Sequence, residues 1–239
     1  MAKVDITAGK YVDYLKKVTA KIASEKDYIT ELDAATGDGD HWANMNTGFT
    51  KLMEIEDQLR AASLAELFKK AAMTIMSGVG GSSGILYASA YLKASAAVGS
   101  AETMDAAKLL EVLEAELQGI MQRGNGQPGF KTMIDPLYEA VEAMKAALPE
   151  GEAAAIRAMQ AGAKHGMEAT RDMEAIRGRA YYQANKGVGH LDPGAVTMYY
   201  QLDLLGETAI ERVWTDCSGL SQSLCKYWRR VRDSAKNIR

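Results

Sequence analysis

The feature that most limits the fold is a helical spacing of apolar residues that recurs along almost the whole chain, with no convincing stretch of strand alternation. In "YVDYLKKVTAKIA", Val12, Leu15, Val18 and Ile22 form one stripe, as a helix with one buried face requires. The segment 44–60 repeats the pattern with Met45, Phe49, Leu52, Met53 and Ile55. "SLAELFKKAAMTIM" opens with Ser63 and, three residues on, Glu66, the spacing of a capping box. Further helices are expected near 82–97, 103–122, 132–147, 151–174 and 192–206, with a last one at about 218–236. Four Pro in 239 residues and an aromatic share of 7% agree with this, because the Ala, Leu, Met, Glu and Lys that dominate lose little side-chain freedom in a helix. No Pro/Ser-rich linker divides the chain. The expectation is one all-α domain of eight or nine helices, a bundle or closed helical barrel, over residues 1–206, followed by a basic extension over 207–239 packed on it.

Charge and cysteine usage exclude several function classes. A formal net charge of −3 favours neither nucleic acid nor a membrane surface. No apolar run approaches the length of a transmembrane span, and "MAKVDITAGKYVDYLKKV" lacks a signal-type apolar core, so a cytoplasmic chain is expected. Cys217 and Cys225 have no neighbouring His in zinc-ligand spacing and read as free thiols. The end of the chain departs from the average, with six basic residues against Asp233 between Lys226 and Arg239. That stretch reads either as a solvated helix face or as a docking surface for an acidic partner.

The regularity breaks in four loops, at 33–43, 77–84, 123–131 and 177–195. In an up-and-down helical array alternate connections share an end, so these loops can meet at one rim, where function is expected. The first contains "TGDGDH". Asp33, Asp38 and Asp40 place three carboxylates within eight residues, and such groups repel unless a cation lies between them. An oxygen-only set suits Mg²⁺, which keeps several waters and commonly completes its shell from phosphate. A capping role for Asp40 before the next helix is the structural alternative. A calcium EF-hand is excluded, since its positions 3, 5 and 12 would fall on Ala35, Gly37 and Asn44.

The second loop, "SGVGGSSG", runs into an apolar helix. The amides of Gly81, Ser82 and Ser83 with two hydroxyls make an anion cradle at a helix N-terminus. The third, "RGNGQPGFK", has Gly124 and Gly129 at P-loop spacing, but Phe130 intrudes before Lys131 and Thr132 and a helix precedes it. The fourth offers Arg179, Lys186 and His190. Here Asp192 and Pro193 have a structural reading as N-cap and first helical residue. Neither a nucleophilic triad nor a dinucleotide fingerprint is visible.

Four segments in order, "LDAATGDGDHWANMNTGF", "GVGGSSGILY", "GFKTMIDPL" and "GRAYYQANKGVGHLDPGA", give the chain a close resemblance to the nucleotide-binding L subunit of dihydroxyacetone kinase, from about residue 10 to 206. The resemblance implies a barrel of eight antiparallel helices with the nucleotide across one rim. It implies that Asp33, Asp38 and Asp40 hold two Mg²⁺ bridging the phosphates of ADP or ATP. It implies nucleotide contacts from His41, Asn44, Ser82, Ser83, Gly124, Met133, Arg179, Asp192 and Pro193, with Arg179 also offsetting charge on the transferred group. A separate K-type subunit would hold the ketose covalently, and a phosphohistidine carrier protein would recharge bound ADP. ATP exchange is the other donor mode, and a homodimer is open. The sequence departs from the family pattern at Trp42, at Phe130 in place of an Asp, at Lys186-Gly187 in place of Arg-Ser, and in the extension beyond 207. Trp42 and Phe130 either wall the base or fill core space. These departures keep open an ATP-dependent kinase subunit for a C4 ketose such as erythrulose. Two further readings are a nucleotide-dependent regulatory protein without turnover and a helical bundle that binds metal alone.

Overall fold

The computed structural model describes residues 3–210. Among them lie ten α-helices: α1 (Ala8–Ser24), α2 (Lys26–Thr36), α3 (His41–Glu54), α4 (Glu56–Arg60), α5 (Leu64–Gly78), α6 (Gly81–Val98), α7 (Ala106–Gly124), α8 (Ile134–Ala147), α9 (Glu152–Ala169) and α10 (Pro193–Ile210). Three single 3-10 turns sit between them, at Leu148–Glu150, Thr170–Asp172 and Arg179–Tyr182. The all-α expectation holds, with one addition. β1 (Ile6–Thr7) and β2 (Thr103–Met104) form a two-residue antiparallel pair, too short to show as alternation. The helix expected over 44–60 begins at His41 and is interrupted at Ile55, and the one expected over 151–174 stops at Ala169. The expected helix at 218–236, both cysteines and the basic stretch lie outside the described residues.

Local chemistry sets several boundaries. Thr7 caps α1 by accepting from the Lys10 amide at 3.3 Å, Ser63 caps α5 through the Glu66 amide at 3.3 Å, and Asp105 caps α7 through the Lys108 amide at 2.8 Å. Such caps each contribute about 1 kcal/mol by satisfying an otherwise orphan N–H. Asn125 ends α7 in the left-handed conformation, as its short polar side chain allows. The stripe of α1 is fully buried at Val12, Leu15, Val18 and Ile22, and truncation of such a residue to Ala costs roughly 2–5 kcal/mol.

Tertiary packing follows one order. α1 packs on α3, α3 on α5, α5 on α6, α6 on α7, α7 on α8, α8 on α9, α9 on α10, and α10 returns to α1. Eight helices thus contact one another in a closed cycle, with α2 and α4 as short outer pieces. The main apolar core is contributed by every one of these eight helices, and a smaller separate cluster joins Met167, Leu191, Ala195 and Val196. α8 and α9 pack most closely because Gly162 and Gly166 present bare backbone to the partner helix, where a Cβ at Gly166 would come 2.8 Å from Pro136 Cα. The consequence for the site is positional. The connections α2–α3, α5–α6, α7–α8 and α9–α10 all emerge at one end of the cycle.

A carboxylate and phosphate cleft at one rim

These four connections surround a cleft of about 570 Å³, within the range that holds a nucleotide-sized ligand. The twelve residues to which the family resemblance assigns metal or nucleotide contacts all line it: Asp33, Asp38, Asp40, His41, Asn44, Ser82, Ser83, Gly124, Met133, Arg179, Asp192 and Pro193. They come from five helices and the turns between them.

The acidic wall is built differently from the sequence expectation. Asp33 is not in a loop. It sits on the last turn of α2 and is buried, while Asp38 and Asp40 lie in the exposed turn that follows. Gly37 ends α2, and a Cβ there would run into Asp33 Oδ1, so the turn folds back only with glycine at that position. One oxygen from each carboxylate lies within 4.8 Å of the others. The Arg179 guanidinium reaches Asp38 Oδ2 at 2.6 Å and supplies positive charge at the cluster. The capping alternative for Asp40 does not hold. Asp40 occupies the N-cap position of α3 without a side-chain bond, and Asp33 Oδ2 instead accepts from the His41 amide at 3.0 Å.

His41 and Asn44 project from the first turn of α3. His41 Nε2 lies 3.0 Å from Thr197 Oγ1 on α10, and that hydroxyl donates to the Gly194 carbonyl at 3.2 Å. Burial pulls the His41 pKa below the usual histidine value, opposed by Asp33 and Asp40.

The start of α6 lies beside Asn44, with Gly80 and Gly81 against its side chain. No side chain caps this helix, so its first N–H groups keep their capacity for an anion, and the helix dipole adds to it. Across the cleft, Asp192 caps α10 by accepting from the Ala195 amide at 2.7 Å, with Pro193 as the first helical residue, as the sequence predicted. Burial raises the Asp192 pKa to about 7.

The structure also adds residues that the sequence reading passed over. Arg123, Lys131, Thr132 and Arg177 line the cleft. Lys131 had appeared only as part of a failed P-loop match, and Arg123 and Arg177 stand beside glycines in the two loops already singled out. Lys186 and His190 do not line the cleft. Lys186 pairs with Glu174 at 2.8 Å, and His190 contributes its carbonyl to Lys131. Trp42 turns away from the cleft, packs on the core and donates from Nε1 to the Ile22 carbonyl at 2.9 Å. Phe130 does not line the cleft either, and its carbonyl accepts from the Ile176 amide at 3.3 Å.

A ring of eight helices thus carries carboxylates, a helix N-terminus and arginines at one rim, a set of groups chemically suited to phosphate and divalent cations. The chain belongs to the DAK2 domain family, whose model matches residues 35–207. The ADP-binding subunit DhaL of PEP-dependent dihydroxyacetone kinase 1 from Listeria innocua is 40% identical over 182 residues, covering 76% of this chain and 87% of that protein. The ADP-binding subunit DhaL of the PEP-dependent dihydroxyacetone kinase of Escherichia coli is 29% identical over 210 residues, covering 87% of this chain and all of that protein. The fold matches the dihydroxyacetone kinase of C. freundii, solved with AMP-PNP and Mg²⁺, at a TM-score of 0.66 and 24% identity, over 82% of this chain. This chain spans about a third of that kinase, 33% of its length. Among the described residues no helix is long and apolar enough to cross a membrane.

Proposed function

We propose that this chain is the ADP-binding L-type subunit of a dihydroxyacetone kinase, and that it transfers a phosphoryl group to dihydroxyacetone or a related small ketose held on a separate K-type subunit. The observation that carries this reading is the convergence of three carboxylates, an uncapped helix N-terminus and Arg179 on one cleft. The donor set fits magnesium. It consists of oxygen alone, one carboxylate is buried and fixed, and two exposed ones leave room for water and phosphate ligands. Asp33, Asp38 and Asp40 would hold two ions.

The magnesium nucleotide supplies the transferable phosphoryl group and neutralises its charge. Transfer of this kind depends on positioning and charge stabilisation more than on covalent chemistry by the protein. Asp33 is set by its bond from the His41 amide and gives the metal site its fixed member. The amides of Gly81, Ser82 and Ser83 orient phosphate oxygens, with the Ser82 and Ser83 hydroxyls beside them. Arg179 places a cation at the acidic cluster, where charge on the transferred group would be offset. Asn44, His41 and Asp192 shape the polar wall, and Gly124, Met133 and Pro193 give close apolar contact for the nucleoside.

ADP held in this cleft would act as the phosphoryl carrier, recharged by a phosphohistidine carrier protein. Support for this mode comes from the free-standing relatives of similar length, both described as ADP-binding subunits of PEP-dependent kinases. The family match ends at residue 207, which supports reading 207–239 as an extension of the nucleotide-binding unit. Reconstitution tests the proposal. Purified chain, mixed with a K-type subunit, a phosphohistidine carrier system and dihydroxyacetone, is expected to form dihydroxyacetone phosphate with catalytic ADP. Turnover that instead needs stoichiometric free ATP would remove the carrier mode.

A further inference from the structure

Lys131 is buried to 1% exposure although it carries an ammonium group, and its backbone holds φ +60. A non-glycine residue adopts that conformation only where its surroundings fix it. Its Nζ donates to the carbonyls of Thr170 and, at 2.6 Å, His190. These two carbonyls flank the segment 171–189, which carries Arg179 and leads into Asp192. A desolvated ammonium is costly without full hydrogen bonding, so this position has been given two strong acceptors, and both belong to the neck of one loop.

The loop has little else to fix it. From 171 to 190 only Ala175, Ala180 and Gly187 are buried, and Gly187 lies against the Lys131 stem. A Cβ at Gly187 would lie 3.0 Å from Lys131 Cε and 3.1 Å from Ala180 Cβ. Thr170 closes the neck by accepting from the Asp192 amide at 3.1 Å, and Arg171 accepts from the Gly189 amide at 2.8 Å. Those bonds join the loop's two ends to each other. Ties to the rest of the molecule among the described residues are Lys131, the Phe130 carbonyl to the Ile176 amide, Gln183 Nε2 to the Ala35 carbonyl at 2.9 Å, and the exposed pair of Arg179 with Asp38 at 2.6 Å. Lys131 is the one of these that is fully buried and bonds both strands of the neck.

We propose that Lys131 is a positioning residue that clasps the neck of the 171–190 loop and thereby holds Arg179 over the carboxylate cluster. The part played by Arg179 rests on the functional reading above, whereas the clasp itself does not. The energetic reasoning is direct. Without the ammonium, the buried Thr170 carbonyl and the partly buried His190 carbonyl lose their shared partner and the loop gains freedom at its base, so the Arg179 guanidinium samples positions away from Asp38.

Lys131→Met keeps the length of the stem and removes the donor, and Lys131→Gln serves where the methionine variant does not fold. Hydrogen exchange on the ligand-free full chain is the first readout. At least tenfold faster exchange is expected for amides in 171–190, with the helices unchanged. Phosphoryl transfer in the reconstituted complex is the second, measured in the wild-type and Arg179→Ala backgrounds. A loss of about tenfold is expected with Arg179 present and none with it absent, since the effect passes through that residue. Unchanged loop protection overturns the clasp, as does failure of both variants to fold, because Lys131 would then serve the core as a whole. Equal losses in the two backgrounds overturn the link to Arg179. Faster exchange with no transfer by any version, wild type included, leaves the clasp standing and removes the functional reading instead.

Discussion

Asp33 Oδ2 accepts the His41 amide at 3.0 Å, so the last turn of α2 caps the first turn of α3 across the turn that carries Asp38 and Asp40. One buried carboxylate therefore holds a helix junction and presents oxygen to the cleft. Asp38 has no such duty, being exposed and paired with Arg179. The two substitutions separate stability from ligand binding. Asp33→Ala should lower stability by about 1–2 kcal/mol, the usual cost of a lost cap, and also abolish Mg·ADP binding. Asp38→Ala should leave stability within about 0.5 kcal/mol and weaken Mg·ADP at least a hundredfold. Urea melts beside calorimetric titrations report both quantities. A stable Asp38→Ala chain that keeps wild-type affinity would show that Asp38 has no metal role.

The phosphate cradle on α6 is assigned to backbone amides rather than to hydroxyls. Removing either hydroxyl, by Ser82→Ala or Ser83→Ala, is expected to weaken ADP by only about fivefold, near 1 kcal/mol for one neutral hydrogen bond. A loss beyond a hundredfold for either change would move the cradle from the helix end to that side chain.

Arg179 is exposed on its side chain to 63%, so its pairing with Asp38 contributes little to stability. Its role should appear in transfer. Arg179→Ala is expected to lower the phosphoryl-transfer rate by roughly two to three orders of magnitude, typical for loss of a preorganised charge partner, while ADP affinity changes less than about tenfold. Single-turnover rates and equilibrium titration distinguish the two. An affinity loss as large as the rate loss would make Arg179 a simple binding residue.

A group remote from the cleft should govern stability against pH. Glu116 on α7 faces a small internal cavity lined by Tyr11, Tyr14, Tyr87 and Tyr91, together with Gln201. Burial raises its pKa from an ordinary value of 4.5 to about 8. The folded chain thus keeps a proton that the unfolded chain releases above about pH 4.5. Stability falls as pH rises through that window and levels near pH 8, with a slope of at most about 1.4 kcal/mol per pH unit. Asp192, raised from 3.8 to about 7, acts in the same direction at lower pH. Glu116→Gln should therefore flatten the profile above pH 7 and stabilise the protein by roughly 4 kcal/mol at pH 8. Denaturant midpoints at pH 5 to 8 measure this, and a variant with the wild-type slope would show that Glu116 is not the group responsible.

Much of this was legible in the chain. The stripe of α1, the cap at Ser63 and the Asp192-Pro193 start of α10 follow from local rules that packing did not override. The carboxylate cluster could be read because three carboxylates close in sequence are also close in space. What could not be read depended on long-range geometry. Asp33 reads as a loop residue because nothing nearby signals that α2 runs on to Thr36. Its bond to the His41 amide exists only once Gly37 and Gly39 have turned the chain. Lys131 was invisible for the same reason, since its two acceptors lie 39 and 59 residues away. Trp42 shows the limit of reading a departure from a family pattern: it faces Ile22, not the nucleotide cleft.

The central claim is that divalent ions held by Asp33, Asp38 and Asp40 are what grip a diphosphate in this cleft. Titration of the purified full chain with ADP, in magnesium and then in excess chelator, addresses it directly. Tight binding in magnesium and a loss of at least a hundredfold in chelator are predicted. ADP binding of equal strength in both would contradict the account, because the nucleotide would then be held without the acidic cluster.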